Sequence, residues 1–183
     1  MWTVGLVWYR ERLVYPTEFN ILKHFDSSGK LLGTKIVRAQ GRSSYGRDAA
    51  TNSFLRASKD RIWWLTNANG LIEFGSGGTE LNRFDPPPGP DPGVFGSTFA
   101  VSEDNQILVG KRDGAHLKVW RLDHAKRVWD EVEVAGAKLS GWATLGFDGD
   151  RIVVVTGNTP VIAYYRLASV AASATTPRSA RSY

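Results

Sequence analysis

The 183-residue sequence contains no cysteine. This absence excludes disulfide bonds, thiolate-ligated zinc, iron–sulfur clusters and thiol nucleophiles. Long segments rich in alanine, leucine, glutamate and lysine at helical spacing are also missing, which argues against a helical fold. No apolar run approaches the length that spans a membrane.

Motifs with a known chemical mechanism are missing as well. The chain has no G-x-S-x-G elbow, H-E-x-x-H motif, P-loop, EF-hand loop or N-x-[ST] sequon. Its three histidines, His24, His116 and His124, are not at metal-ligand spacing. The sequence therefore predicts no catalytic residues, no metal site and no cofactor.

The net charge is +5, and part of the excess lies in 37–47 and 175–183. Such a field attracts polyanions only weakly, and no like-charged run is long enough for a nucleic-acid arm. The first nine residues, MWTVGLVWY, lack a basic region and a small-residue cleavage site. We expect a soluble chain with no visible signal peptide. The compartment stays open, and includes an extracytoplasmic one if residues precede Met1.

What the sequence does contain is aromatic residues and an internal repeat. Seven Trp, eight Phe and six Tyr favour sheet. Four similar segments follow one another, and the residue that opens the second strand recurs every 45–49 positions. In order, these residues are Arg12, Arg61, Gln106 and Arg151.

Each repeat reads as four short strands joined by turns rich in Asp, Asn, Gly and Ser. Four strands in 40–50 residues are typical of a β-propeller blade. The sequence predicts an all-β fold of about 3.75 antiparallel blades, an open or partial propeller. Its expected divisions are blade 1 (1–38), a loop and blade 2 (39–84), a Pro-rich loop and blade 3 (85–134), an incomplete blade 4 (135–167) and a disordered tail (168–183).

Two segments carry a family resemblance. DRIWWLTNANGLIEF (60–74) and NILKHFDSSGKLLGT (20–34) resemble the repeats of NHL-type and streptogramin lyase-like propellers. The chain departs from that pattern at 59–61, where Lys-Asp-Arg replaces Asp-Gly-Asn; only FDGDR (147–151) keeps the Asp-Gly. The resemblance implies a propeller architecture over about 1–167.

The resemblance also implies several activities. Streptogramin lyase-like propellers imply a Mg²⁺-assisted elimination with a histidine near the axis, and gluconolactonase-like ones imply Ca²⁺ or Zn²⁺ held by Glu, Asn and Asp. Neither set of residues maps onto this sequence. Some NHL proteins imply RNA binding by a basic face. The leading hypothesis is a non-enzymatic scaffold that binds a small molecule or protein; a metal-dependent lyase or lactonase and a weak RNA or polyanion binder are the alternatives.

The fourth repeat stops after its third strand, so the chain carries about three and three-quarter blades. Three explanations stay open: part of a larger propeller, self-association through the incomplete blades, or a small four-bladed ring. An open stack leaves apolar outer faces on its end blades. We expect Trp2, Trp8 and Tyr15 to be exposed for this reason.

Ligands of a scaffold of this kind are expected on loops that differ between blades. The loop 38–52 offers cationic and aromatic groups suited to a carboxylate, phosphate or sugar acid. The loop 85–96 holds five of the eight prolines and reads as a stiff strap or as a contact for a partner. The candidate ligand-binding residues are Arg38, Arg42, Tyr45, Arg47, Asp48, Asn67, Asp113 and Asn158, with Asn69 as a further secondary candidate.

Trp63 and Trp64 could form an aromatic platform or belong to the core. In the repeat alignment they fall on two large apolar residues in every blade. Neighbouring residues of a strand point to opposite faces, and a blade is packed on both faces. We therefore predict a structural core that includes Trp63, Trp64, Tyr15, Val109 and Val154, with the two indoles on opposite sides of one sheet.

Overall fold

The fold is described from a computed structural model. The structure describes residues 3–16, 21–36, 53–66, 70–88, 97–132, 134, 143–156 and 161–166. Within these ranges the regular structure consists of β-strands, arranged in four sheets. None of the described residues forms a helix with the length and apolar character needed to cross a membrane.

Sheet I and sheet II come from the first half of the chain. Sheet I has the order β2-β3-β4-β5, with strands Val7–Tyr9, Arg12–Pro16, Ile21–Phe25 and Leu31–Ile36. Sheet II has the order β1-β6-β7-β8-β9, with strands Thr3–Val4, Ser53–Ala57, Ile62–Thr66, Gly70–Phe74 and Glu80–Phe84. All neighbours are antiparallel except β1 and β6, which are parallel.

Sheet III and sheet IV come from the second half. Sheet III has the order β10-β11-β12-β13, with strands Ser97–Val101, Ile107–Asp113, His116–Asp123 and Val128–Val132. Sheet IV has the order β14-β15-β16, with strands Ala143–Asp148, Arg151–Thr156 and Val161–Arg166. The prediction of three four-stranded antiparallel units followed by a three-stranded one is confirmed, apart from the extra strand β1.

Strand β1 was not predicted, because a two-residue strand has no sequence period. It lies beside β6 of sheet II, although the next strand of the chain belongs to sheet I. The connection passes through Gly5, where a Cβ atom would come within 2.4 Å of the Leu55 amide nitrogen. Only glycine allows the backbone to approach this closely.

Three hydrophobic cores lie between successive sheets. One joins sheets I and II around Val14, Leu22 and Trp64. The second joins sheets II and III around Trp63 and Phe99, and the third joins sheets III and IV. None of the three joins sheet IV to sheet I within the described part of the chain.

The second strand of each sheet shows which face meets which neighbour. Trp63 faces sheet III and Trp64 faces sheet I, and both are fully buried. Val109 and Val154 are also buried, each facing the preceding sheet. Tyr15, at the corresponding position of sheet I, is only partly buried, because no described sheet precedes it. Tyr15, which is one of the residues predicted for the core, is therefore enclosed only in part.

Candidate functional site

Most of the predicted ligand-binding residues lie outside the described residues. This holds for Asn69 as well as for those on 38–52 and on the turns after the second strands of sheets II and IV: Arg38, Arg42, Tyr45, Arg47, Asp48, Asn67 and Asn158. Asp113 is described. It ends β11, and its Oδ2 lies 3.1 Å from Nζ of Lys118, with both side chains about half exposed. Asp113 thus forms an ion pair with a lysine of its own hairpin. The ligand site expected on the inter-blade loops stays a prediction.

The beginning of the proline-rich loop is held against sheet III. Lys111 Nζ donates hydrogen bonds to the carbonyl oxygens of Pro87 and Pro88, at 2.8 and 3.2 Å. Trp129 Nε1 donates to the carbonyl oxygen of Asp85 at 2.7 Å. These contacts fit a strap at 85–88; residues 89–96 lie outside the described part of the chain.

A polar network joins the first turns of sheets II and III. The side-chain oxygen of Asn105 accepts hydrogen bonds from Ser58 Oγ at 2.6 Å and from Trp63 Nε1 at 3.1 Å. Asn105 Nδ2 donates to Asp60 Oδ1 at 3.2 Å, and its carbonyl oxygen is 3.1 Å from His124 Nε2. Because each polar group has a partner inside the protein, this network is structural.

A cleft of about 670 Å³ opens at the corresponding turns of sheets III and IV, beside Glu103, Asp104 and Asp150. Ser102 Oγ donates to Asp104 Oδ1, and Gln106 Nε2 donates to Asp104 Oδ2 at 3.0 Å. These hydrogen bonds hold the pKa of Asp104 below its ordinary value. Among the described residues, no group of three or more acidic or histidine side chains is placed to hold a metal ion.

A smaller cavity of about 200 Å³ lies between sheet I and the turn of sheet II at Gly77 and Gly78. Arg12, His24 and Lys35 line it. Burial and the charge of Arg12 lower the pKa of His24. The sequence analysis does not select these residues as a site, although the repeat alignment that matches Arg12 with Arg61 also matches His24 with Glu73.

Several large apolar side chains are exposed to solvent on the outer faces of sheets I and IV. On sheet I, Trp8 is 56% exposed and Ile36 is 71% exposed. On sheet IV, Ile162 is 57% exposed and Tyr164 is 55% exposed. The expectation that Trp8 would be exposed agrees with these surfaces, Tyr15 is only partly exposed, and Trp2 lies outside the described residues.

Four antiparallel sheets packed face to face in chain order define a β-propeller-type protein with an open or partial ring. Solved structures support this class. The chain is similar to the computationally designed Ika4 protein, with a TM-score of 0.55 and 15% identity over 90% of this chain and 91% of that one.

It is also similar to the computationally designed Ika8 protein, with a TM-score of 0.57 and 15% identity, covering 90% of this chain and 45% of that one. The third similarity is to the β-propeller BamB from Moraxella catarrhalis, with a TM-score of 0.52 and 11% identity. It covers 88% of this chain and 58% of BamB.

This chain thus spans about half the length of Ika8 and of BamB. At these identities the likeness shows the fold alone, and the NHL-type resemblance is not confirmed. No protein-family profile matches the sequence, and no curated protein matches it.

Proposed function

We propose that this protein is a protein-interaction scaffold whose partner is a second copy of the same chain, with sheet IV of one copy packed on sheet I of the other. The observation that carries the proposal is the pair of open apolar faces at the two ends of the sheet series. Exposed apolar patches of this kind favour protein association.

The two open faces are the unmatched halves of an interface that the chain forms three times internally. At each internal interface, a residue on the second strand of one sheet faces the following sheet. A residue on the second strand of that following sheet faces back toward it. Val14 and Trp64 share the first core, Trp63 and Val109 the second, and Leu108 and Val154 the third. Two residues at these positions face no neighbouring sheet within the described part of the chain. They are Val153 on sheet IV and Tyr15 on sheet I, and both are partly exposed.

Cross-strand neighbours extend both halves into surfaces. On sheet IV, Tyr164 lies opposite Val153 and Ile162 opposite Val155. On sheet I, Leu13 lies between Trp8 and Phe25. Opposite residues on neighbouring strands share one face of a sheet. Packing sheet IV of one copy on sheet I of another would therefore extend the series of internal interfaces.

The arrangement is heterologous, because different surfaces of the two copies meet, and a closed pair of copies would use the contact twice. The alternative of a metal-dependent lyase or lactonase gains no support from the described residues, among which no group of three acidic or histidine side chains is placed to hold a metal ion. A ligand site on 38–52 is compatible with the scaffold and stays a separate prediction.

Mixing two face-specific variants tests the proposal. Trp8→Lys disables sheet I and Ile162→Lys disables sheet IV, and we expect each variant alone to be monomeric in multi-angle light scattering. An equimolar mixture should restore a dimer, since sheet IV of the first variant can pack on sheet I of the second. Val128→Lys, at a residue 45% exposed on the outermost strand of sheet III, is the matched control and should self-associate like the unmodified chain.

Three results would contradict the proposal. The unmodified chain could be a stable monomer at high micromolar concentration. One of the two variants could self-associate normally, which would indicate pairing of like faces. The mixture could remain monomeric although both variants unfold cooperatively.

A further inference from the structure

Sheet II contains an internally bound anion on the face that meets sheet III. Arg61 Nε donates to Glu73 Oε1 at 2.9 Å, and Asn82 Nδ2 donates to Glu73 Oε2 at 2.6 Å. The Glu73 side chain is only 10% exposed. A carboxylate is thus enclosed between a guanidinium and an amide, and charge-assisted hydrogen bonds of this kind are the strong ones.

Sheet I has the same three strand positions without the anion. His24 pairs with Val14 and Gly33 as Glu73 pairs with Trp63 and Asn82. Arg12 corresponds to Arg61. An imidazole therefore replaces the carboxylate, and a hydrogen atom replaces the amide. A Cβ atom at Gly33 would have no neighbour within 4 Å, so the space stays open.

The cavity left at these positions is positively charged and accessible. Lys35 lies on the same face of sheet I as His24, two residues from Gly33, and both Lys35 and Arg12 are exposed. Neither Asp nor Glu is among the described residues that line the cavity. Arg12 forms no ion pair within the described part of the chain.

The turn of sheet II closes the other side. A Cβ atom built on Gly78 would lie 3.7 Å from Nε2 of His24, so the turn is in contact range of the imidazole. The volume of about 200 Å³ is below the roughly 300–1,000 Å³ of pockets that enclose drug-sized ligands. The space suits one small charged group.

We infer that the cavity binds a phosphate group, which takes the place that the Glu73 carboxylate occupies in sheet II. Arg12 and Lys35 supply two positive charges that persist at neutral pH. Together they match the two negative charges that phosphate carries near neutral pH better than the one charge of a carboxylate. His24 is positioned to donate one ring N–H to a phosphate oxygen. The site lies on the inner face of sheet I and does not depend on the proposed self-association.

Proton NMR of the full chain with inorganic phosphate tests the site. The three histidines should give separate imidazole signals, and added sodium chloride keeps the ionic strength constant. The His24 signal should shift and saturate, while His116 and His124 stay unchanged. Acetate at the same concentration should have little effect.

Variants link the binding to the cavity. Arg12→Gln and Lys35→Gln should each weaken phosphate binding about tenfold, the loss of one charge-assisted contact. Lys59→Gln removes the same charge outside the cavity and should leave binding unchanged. His24→Glu places a carboxylate beside Arg12, as Glu73 lies beside Arg61 in sheet II. It should abolish phosphate binding, measured by calorimetry, without lowering the melting temperature.

The inference is overturned if all three histidine signals shift together, or if chloride or acetate is as effective as phosphate. It is also overturned if the Arg12 and Lys35 variants bind like the unmodified chain. Should Arg12→Gln fail to fold, the exposed Lys35 and the His24→Glu variant still decide the result.

Discussion

Trp63 and Trp64 are neighbours in the chain, yet their indoles are buried in different cores on opposite sides of one sheet. Trp63 packs with Phe99 and Val109 of sheet III, and its ring centroid is 5.4 Å from that of His124 in the turn between β12 and β13. Trp64 packs with Tyr9, Val14 and Leu22 of sheet I. Because both faces of sheet II are covered, one indole packs sheet II against sheet I and the other packs it against sheet III. Neither ring is exposed for stacking on a ligand.

The two indole N–H groups differ, which leads to a first prediction. Trp63 Nε1 donates to Asn105 Oδ1 at 3.1 Å, whereas Trp64 Nε1 has no hydrogen-bond partner among the described residues. Trp63→Phe should therefore lower the free energy of unfolding by about 1–2 kcal/mol more than Trp64→Phe. Urea denaturation of both variants measures the difference, and equal losses would contradict it.

Asn105 allows the strain of its turn to be separated from its hydrogen bonds. Its φ is 65°, which an L-residue other than Asn or Asp adopts at a cost. Asn105→Gly keeps the conformation but removes the side-chain bonds between sheets II and III, and should cost about 1–3 kcal/mol of unfolding free energy. Asn105→Ala should cost about 1 kcal/mol more. If the two variants were equally stable by thermal unfolding, the turn would carry no strain.

Gly110 tests the packing between sheets III and IV. A Cβ atom there would lie 2.7 Å from Thr98 Cγ2 and 3.0 Å from side-chain carbons of Leu117 and Leu145. Gly110→Ala should destabilise the protein by about 1–3 kcal/mol through overpacking. Gly146→Ala is the control, because its Cβ would meet nothing within 4 Å. Calorimetric melting temperatures should fall for the first variant only.

The burial of His24 predicts a pH dependence of stability. Burial and the nearby Arg12 hold its pKa below the ordinary value of 6.5, so the folded protein binds this proton less readily than the unfolded chain. The free energy of unfolding should then decrease as the pH falls from about 7 through 6.5 toward the folded pKa. Among the described residues, the charged side chains that share the cavity with His24 are Arg12 on β3 and Lys35 on β5, and Gly77 and Gly78 of the sheet II turn lie on its other side.

His24→Gln isolates this contribution, since it removes the titration and leaves the other ionisable groups in place. The difference in unfolding free energy between the two proteins should change between about pH 7.5 and 5.5. A constant difference across that range, measured by urea denaturation, would contradict the prediction.

The spacing of residues along the chain is a local property, and it was enough to predict much of this fold. The repeat every 45–49 positions, with four short strands in the first three copies and three in the last, was enough to predict the all-β fold and the incomplete last sheet. Two large apolar residues on each second strand predicted sheets covered on both faces. The incomplete series also predicted that Trp8 and Tyr15 would be exposed, and of these Tyr15 is only partly exposed. These conclusions depend on spacing along the chain, which the sequence contains directly.

Contacts between distant segments were decided only by the tertiary structure. The addition of β1 to sheet II depends on the close approach of Gly5 to Leu55, 50 positions away, and no local period encodes it. Likewise, the alignment set His24 beside Glu73, but that difference has a meaning only because Gly33 lies opposite His24 and the turn at Gly78 closes over it. A cavity is a property of surfaces brought together by folding, and the charges around it become a candidate site only once they share that space.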